Sequence, residues 1–175
     1  MKVLLDNLLP RLFPTLSSLC VAHEGKSDLE RSLPRKLRAW NTPDDQFVVI
    51  RDSDGSNCLS VKTALVQQCV KAGRPETLVR IACRELEAWY FGEPAALATA
   101  FNDDSLSNLG TRARYRHSDL IVTPSQALRL LCPDFQKVSG ARRMASHLTY
   151  VGNRSPSFRA LIEGIARVAD IPLPG

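Results

Sequence analysis

The segment Phe47-Val48-Val49-Ile50-Arg51-Asp52-Ser53-Asp54-Gly55 limits the fold of this chain more than any other. Four β-branched or aromatic residues in a row suit a strand buried on both faces, the kind found in parallel sheets covered by helices. In an open α/β sheet, ligands bind just past the carboxyl ends of the strands. Asp52 and Asp54 fall at that place. Side chains alternate with period two, so both carboxylates are expected on one side of an extended backbone. Two carboxylates that close repel each other unless something neutralises them. A hard divalent cation, Mg²⁺ or Mn²⁺, does so and keeps waters free for a phosphate. The plainer reading is a turn, because Asp-Ser-Asp-Gly is good turn chemistry in any protein.

The 175 residues suffice for one domain with a substantial core. Lys and Arg number 23 against 18 acids, a net charge of +5, which permits a polyanionic partner without demanding one. The five cysteines (Cys20, Cys58, Cys69, Cys83 and Cys132) include no C-x-x-C pair, and each lies in or beside an apolar stretch. Buried, reduced thiols in a cytoplasmic protein are expected. None of the three histidines pairs with a cysteine at zinc-ligand spacing. No apolar run reaches the roughly 20 residues that span a bilayer, and the first residues lack a signal-peptide pattern.

Hydrophobic periodicity divides the chain into alternating elements. It predicts an amphipathic helix over 2–13 and a short strand over 16–22. Ser27 and Glu30 match a capping box, and Pro34 is expected to restart the chain as a second helix running to Trp40. A strand over 46–51 follows. Next comes a helix over 58–72, with Leu59, Leu65, Val66, Cys69 and Val70 turned inward. A strand over 78–82 and a helix over 94–101 complete an α/β region, residues 1–101. Residues 102–123 read as a polar connection, and 124–175 as a helical C-terminal extension with helices over 124–132, 138–148 and 156–169. That order predicts a parallel sheet with flanking helices. Trp40 and Trp89 are expected in the core.

Further candidates cluster around the aspartates. Glu85 and Glu87 follow the strand at 78–82 and can reach the same sheet edge as Asp52 and Asp54, where one of them is expected to support the cation or act as the general base. The alternative for either is to cap a helix N terminus. Arg51 can hold a phosphate or pair with an acid. Lys137, Arg142 and Arg143 form a basic group suited to positioning phosphates, or else a solvated helix face.

Several segments together resemble a known family. The strand ending in Asp52-Ser53-Asp54-Gly55 resembles the Asp-x-Asp element of Toprim domains, the metal-binding module of topoisomerases, primases and overcoming-lysogenization-defect nucleases. Four segments, in order, resemble the Toprim-like group catalogued as domain of unknown function 4276. They are His23-Glu24-Gly25-Lys26-Ser27-Asp28-Leu29, Arg84-Glu85-Leu86-Glu87-Ala88-Trp89, Lys137-Val138-Ser139-Gly140-Ala141-Arg142-Arg143, and Asn153-Arg154-Ser155-Pro156-Ser157-Phe158.

The resemblance implies a Toprim/Rossmann-like sheet and Mg²⁺-dependent phosphodiester chemistry on nucleic acid, with a partner ATPase and a place in prokaryotic defence. It also implies a first strand ending in a general acid/base glutamate, which residues 1–15 do not supply. Either that strand lies upstream of Met1 in a longer reading frame or is lost in a natural truncation, or Glu24 takes the role. Few residues separate Glu24 from Asp52, which favours the first alternative. The rival function is a non-catalytic module that binds nucleic acid or an ATPase.

Overall fold

The computed structural model describes residues 1–175. Strand β1 (Val48–Asp52) pairs in parallel with β2 (Leu78–Ala82), Val48 opposite Leu78 and Asp52 opposite Ala82. These two strands make up the whole sheet. Period two sends alternate side chains to opposite faces. On one face Val49, Val79 and Ile81 meet Leu29, Leu33 and Leu37 of α2 (Lys26–Ala39) and Leu65 and Cys69 of α3 (Cys58–Lys71). On the other face Ala82 enters the main core, with Val48 and Ile50 packed against it.

That main core gathers 31 buried residues against 9 in the smaller cluster, so most apolar burial lies on the side away from α2 and α3. It is built from α1 (Lys2–Leu12), α4 (Ala88–Phe91), α5 (Pro94–Phe101), α6 (Pro124–Leu131), α7 (Lys137–Ala145) and α8 (Pro156–Val168). Helix α1 buries Leu4, Leu5, Leu8, Leu9 and Leu12, a stripe at helical spacing, and lies against α7. Its Arg11 Nε donates to the carbonyl of Ala145 at 3.0 Å, which satisfies one of the free carbonyls at the end of α7.

A buried polar network ties α4 to α8. Asp119 Oδ1 accepts the Ser155 hydroxyl at 2.5 Å, and Asp119 Oδ2 accepts the Ser157 N–H at 2.8 Å. Ser155 Oγ in turn accepts the N–H of Phe158, an N-cap with Pro156 in the first helical position. Trp89 Nε1 donates to Ser157 Oγ at 2.9 Å, and Asn153 Nδ2 donates to the Trp89 carbonyl at 2.9 Å. The segment Asn153–Phe158 is thus a structural clasp. On the sheet side, Arg80 Nε reaches the carbonyl of Ala160 at 2.8 Å, lying over Gly164 of α8.

Several expectations are overturned. Residues 16–22 form no strand, and Leu19 and Val21 are 73% and 50% exposed. Strand propensity is realised only against a neighbour, and this segment pairs with neither β1 nor β2. The expected α-β-α-β-α-β-α order therefore loses its first strand. Pro34 does not restart a helix, because α2 runs unbroken through it. Ser27 and Glu30 form no capping box. Gly25 occupies the N-cap without a side-chain bond, and the Glu24 N–H is taken by the Asp28 carboxylate at 3.2 Å.

Leu59 and Val70 face solvent, at 74% and 51% exposure. The inward stripe of α3 is Cys58, Val61, Leu65, Cys69 and Ala72, and the other two lie about a third of a turn or more from it. Trp40 is half-buried, edge-on to Phe47, with its Nε1 bonded to Asp45. Residues 102–123 contain 3-10 helices at Asp104–Thr111 and Ser118–Leu120, and they bury Leu106, Leu109, Tyr115 and Ile121 in the main core. Only Cys69 and Cys132 are buried; the other three cysteines are half-buried.

The clasp gives a direct test. A Cβ on Gly92 would run into Asn153 Oδ1 and lie 2.9 Å from the Ser155 backbone nitrogen. Neither can yield without breaking the network. Gly92→Ala is expected to cost about 1–3 kcal/mol in urea unfolding, while alanine at the open Gly175 changes nothing.

Candidate functional site

The β1–β2 ladder continues beyond the strands and builds the site. Ser53 N–H donates to the Ala82 carbonyl at 3.0 Å, and Asp54 N–H donates to the Arg84 carbonyl at 2.9 Å. Arg84 N–H returns to Ser53 Oγ at 2.8 Å. Ser53 is 1% exposed, so its hydroxyl is a fixed internal pin. The two strand ends thereby turn together. Asp54 (φ 49°), Gly55 (φ 81°) and Arg84 (φ 69°) all adopt the left-handed region. For Asp54 and Arg84 this conformation is strained, and such strain concentrates where a surrounding structure fixes a functional geometry.

Period two decides which side chains enter the site. Asp52 lies on the main-core face. There Glu87, 4% exposed, and the fully buried Tyr90 are near enough for their charges to act on one another. Burial first, then the negative charges of Glu87 and Asp54, push the Asp52 carboxyl up to about 7. Burial first, then Glu87 and Asp52, raise the Tyr90 phenol. Asp52 Oδ1 and the Tyr90 hydroxyl are both buried without a hydrogen-bond partner. Lys137 Nζ, at the start of α7, stands 3.6 Å from Glu87 Oε1.

Asp54 departs from the extended pattern. The chain turns after Asp52, so Asp54 is exposed and lines a cleft of about 260 Å³ with Gly55, Arg84, Glu85, Val122 and Thr123. Arg84 Nη1 lies 3.4 Å from the Gly55 carbonyl at the mouth of this cleft. Glu85 takes the alternative foreseen for it. Its Oε2 accepts the Ser125 N–H at 2.9 Å and caps α6, a helix that also begins with proline.

The remaining candidates disperse. Arg51 points to the opposite face from Asp52 and pairs with Glu30 of α2, so it takes the acid-pairing role rather than the phosphate one. Arg143 pairs with Asp134 at 2.9 Å and lies over the Phe101 ring. Arg142 is exposed and makes no ion pair. At 100° per residue, Lys137, Arg142 and Arg143 point to three different sides of α7, and only Lys137 joins the acids. Glu24 is exposed in the turn before α2, and its carboxylate makes no hydrogen bond or ion pair. Arg84, Ser53 and Tyr90 were not singled out by sequence reading. Arg84 and Tyr90 sit in or beside the quoted Arg84–Trp89 segment, which was the available signal.

No three His, Cys, Asp or Glu side chains gather into a metal cage. The donors that do converge are the Asp52 and Glu87 carboxylates, with one orphaned oxygen. Two carboxylates and waters are what Mg²⁺ uses when a phosphate completes its shell, so this donor set fits a hard cation and does not fit zinc.

The raised Asp52 carboxyl has a definite effect on stability. Its folded value lies above the ordinary 3.8, so its contribution is fully present below pH 3.8 and is lost as pH rises through 7. Asp52→Asn is therefore expected to stabilise the protein by about 2–4 kcal/mol at pH 8, at about 1.4 kcal/mol per unit, and by little at pH 4. Equal gains at both pH values in denaturant unfolding would contradict the placement of Asp52.

No helix is long and apolar enough to cross a membrane. Searches of curated proteins and of solved structures return no match. A family model described as "Domain of unknown function (DUF4276)" matches residues 1–166, nearly the whole chain, and the protein belongs to that family.

Proposed function

We propose that the carboxyl edge of the β1–β2 sheet is a Mg²⁺- or Mn²⁺-dependent site for phosphodiester chemistry on nucleic acid, as the resemblance to Toprim domains implies. The observation that carries this reading is the orphaned, buried Oδ1 of Asp52 beside buried Glu87. A lone buried acceptor costs about 1–3 kcal/mol, and two adjacent carboxylates add repulsion. A bound divalent cation removes both penalties and supplies Lewis-acid polarisation of a phosphate.

The chain's own residues divide the work. Asp52 and Glu87 would hold the cation. Asp54, exposed in the cleft, is placed to accept a proton from an attacking water. Arg84, fixed by its bonds to Ser53 and Gly55, offers a guanidinium to a phosphate oxygen at the same mouth. Lys137 neutralises Glu87 and yields to the incoming charge. Arg142 is the exposed cation of α7 left for the backbone of a longer strand.

A second reading has its own support. Glu87 is already paired with Lys137 and Glu85 is committed to capping α6. A site so neutralised suits binding without cleavage, in a module that docks nucleic acid or a partner ATPase.

Three measurements decide between them. Mg²⁺ or Mn²⁺ is expected to raise the melting temperature, more at pH 8 than at pH 5.5, because Asp52 must lose its proton to bind. Asp52→Ala is expected to abolish that response, and an identical rise in the variant would remove the site. Nucleic-acid binding is expected to fall steeply with salt, and Arg84→Ala to lower the log–log slope by about one. Cleavage is expected only with Mg²⁺ or Mn²⁺ and to vanish in Asp54→Ala while binding persists. Binding without cleavage in Mn²⁺ would establish the second reading.

A further inference from the structure

Two half-buried cysteines that are remote in sequence meet beside the cleft. Cys58 is the first residue of α3, directly after the Asn57 cap, whose side chain accepts the N–H groups of Leu59 and Ser60. Cys83 is the first residue past β2, and its N–H lies 3.4 Å from Ser157 Oγ. Their sulfurs are 2.9 Å apart, and both are free thiols. A bonded pair needs about 2.05 Å, so closure requires movement of less than an ångström. No other two cysteines of the chain are in contact. Cys69 and Cys132 are buried in separate clusters, and Cys20 lies beside Asp6 with no cysteine neighbour.

We propose that Cys58 and Cys83 form a reversible disulfide that staples the start of α3 to the end of β2. The oxidant is a peroxide or a low-molecular-weight disulfide. With hydrogen peroxide, one thiol sulfur is oxidised to a sulfenic acid with release of water. The second thiol sulfur then attacks that sulfur, the S–OH bond breaks, and a second water leaves. Two thiols lose two electrons and two protons while peroxide is reduced to two waters. A dithiol reductant reverses the change by thiol–disulfide exchange.

The position of the bond gives it a consequence. Asp54 and Gly55 lie just before Cys58, and Arg84 and Glu85 just after Cys83, so the two arms of the cleft are joined through the cross-link. In the reduced protein these arms are held by the Asp54–Arg84 backbone bond, the Ser53–Arg84 pin and the long Arg84–Gly55 contact. The oxidised form fixes their spacing covalently. The inference stands on the thiol geometry alone and does not depend on what the cleft binds.

The test uses the full chain, folded, treated with hydrogen peroxide, then alkylated and digested with trypsin without reduction. Cleavage at Arg51, Lys62, Arg80 and Arg84 gives peptides 52–62 and 81–84, each with a single cysteine. The expected product is these two peptides linked, appearing before any linkage or oxidation of Cys20, Cys69 or Cys132, and lost on treatment with dithiothreitol. Hydrogen exchange is expected to slow over 53–58 and 83–86 in the oxidised form.

Cys58→Ser and Cys83→Ser are each expected to eliminate the linked species and the exchange change. Because the serine variants can lose stability, a second measurement uses the unaltered protein. Titration in glutathione redox buffers should show Cys58 and Cys83 leaving the alkylated pool together at a single potential. Independent oxidation of the two thiols, linkage to other cysteines first, or persistence of both free thiols in excess peroxide would each overturn the proposal.

Discussion

The parallel pairing of β1 with β2 is the contact on which everything at the site depends. Two strands of five residues do not hold together by themselves in water. Here each face is covered. The aliphatic residues Val49, Val79 and Ile81 press on α2 and α3, and Val48, Ile50 and Ala82 press on the main core. Arg80, whose charge would be costly between sheet and helix, is disposed of by its bond to the Ala160 carbonyl over a glycine that leaves room for it. Because both faces are covered, the register is fixed. A slip of one residue would exchange Asp52 for Arg51 on the core side, leaving a guanidinium where the carboxylates meet.

The same alternation explains which features could be read from sequence. Both strands and the helices at 58–71, 94–101, 124–131 and 156–168 follow from local period and end signals. The aspartates at a strand end were recognisable because that place in an α/β sheet is where ligands bind. For Arg51 the sequence left open a phosphate or an acid as partner, and only the long-range approach of Glu30 on α2 decides for the acid. The strand expected over 16–22 has strand-like composition, but composition cannot supply a hydrogen-bonding partner.

What escaped sequence reading depends on long-range contact. Lys137 meets Glu87 only because α7 packs across the core, and nothing in the run Lys137–Arg143 distinguishes the lysine from the two arginines beyond it. Tyr90 and Trp89 look alike as core aromatics, yet Trp89 spends its N–H on the Ser157 clasp while the Tyr90 hydroxyl stays unpartnered beside two acids. The left-handed backbone at Arg84 has no glycine to announce it. The bonds that accompany it, to the Ser53 hydroxyl and the Asp54 N–H, come from the residues just past the other strand.

The Lys137–Glu87 contact has one more implication. An ammonium on a flexible stem already stands 3.6 Å from Glu87, so a divalent ion would compete with it for that carboxylate. Lys137 opens α7, and α7 also carries the footing of α1 through Arg11. A divalent ion lodged at the acid pair would exchange a tethered counterion for a diffusible one at the first residue of α7. Helix α7 thus ties the acids at the sheet edge, at its first residue, to the seat of α1, at its last.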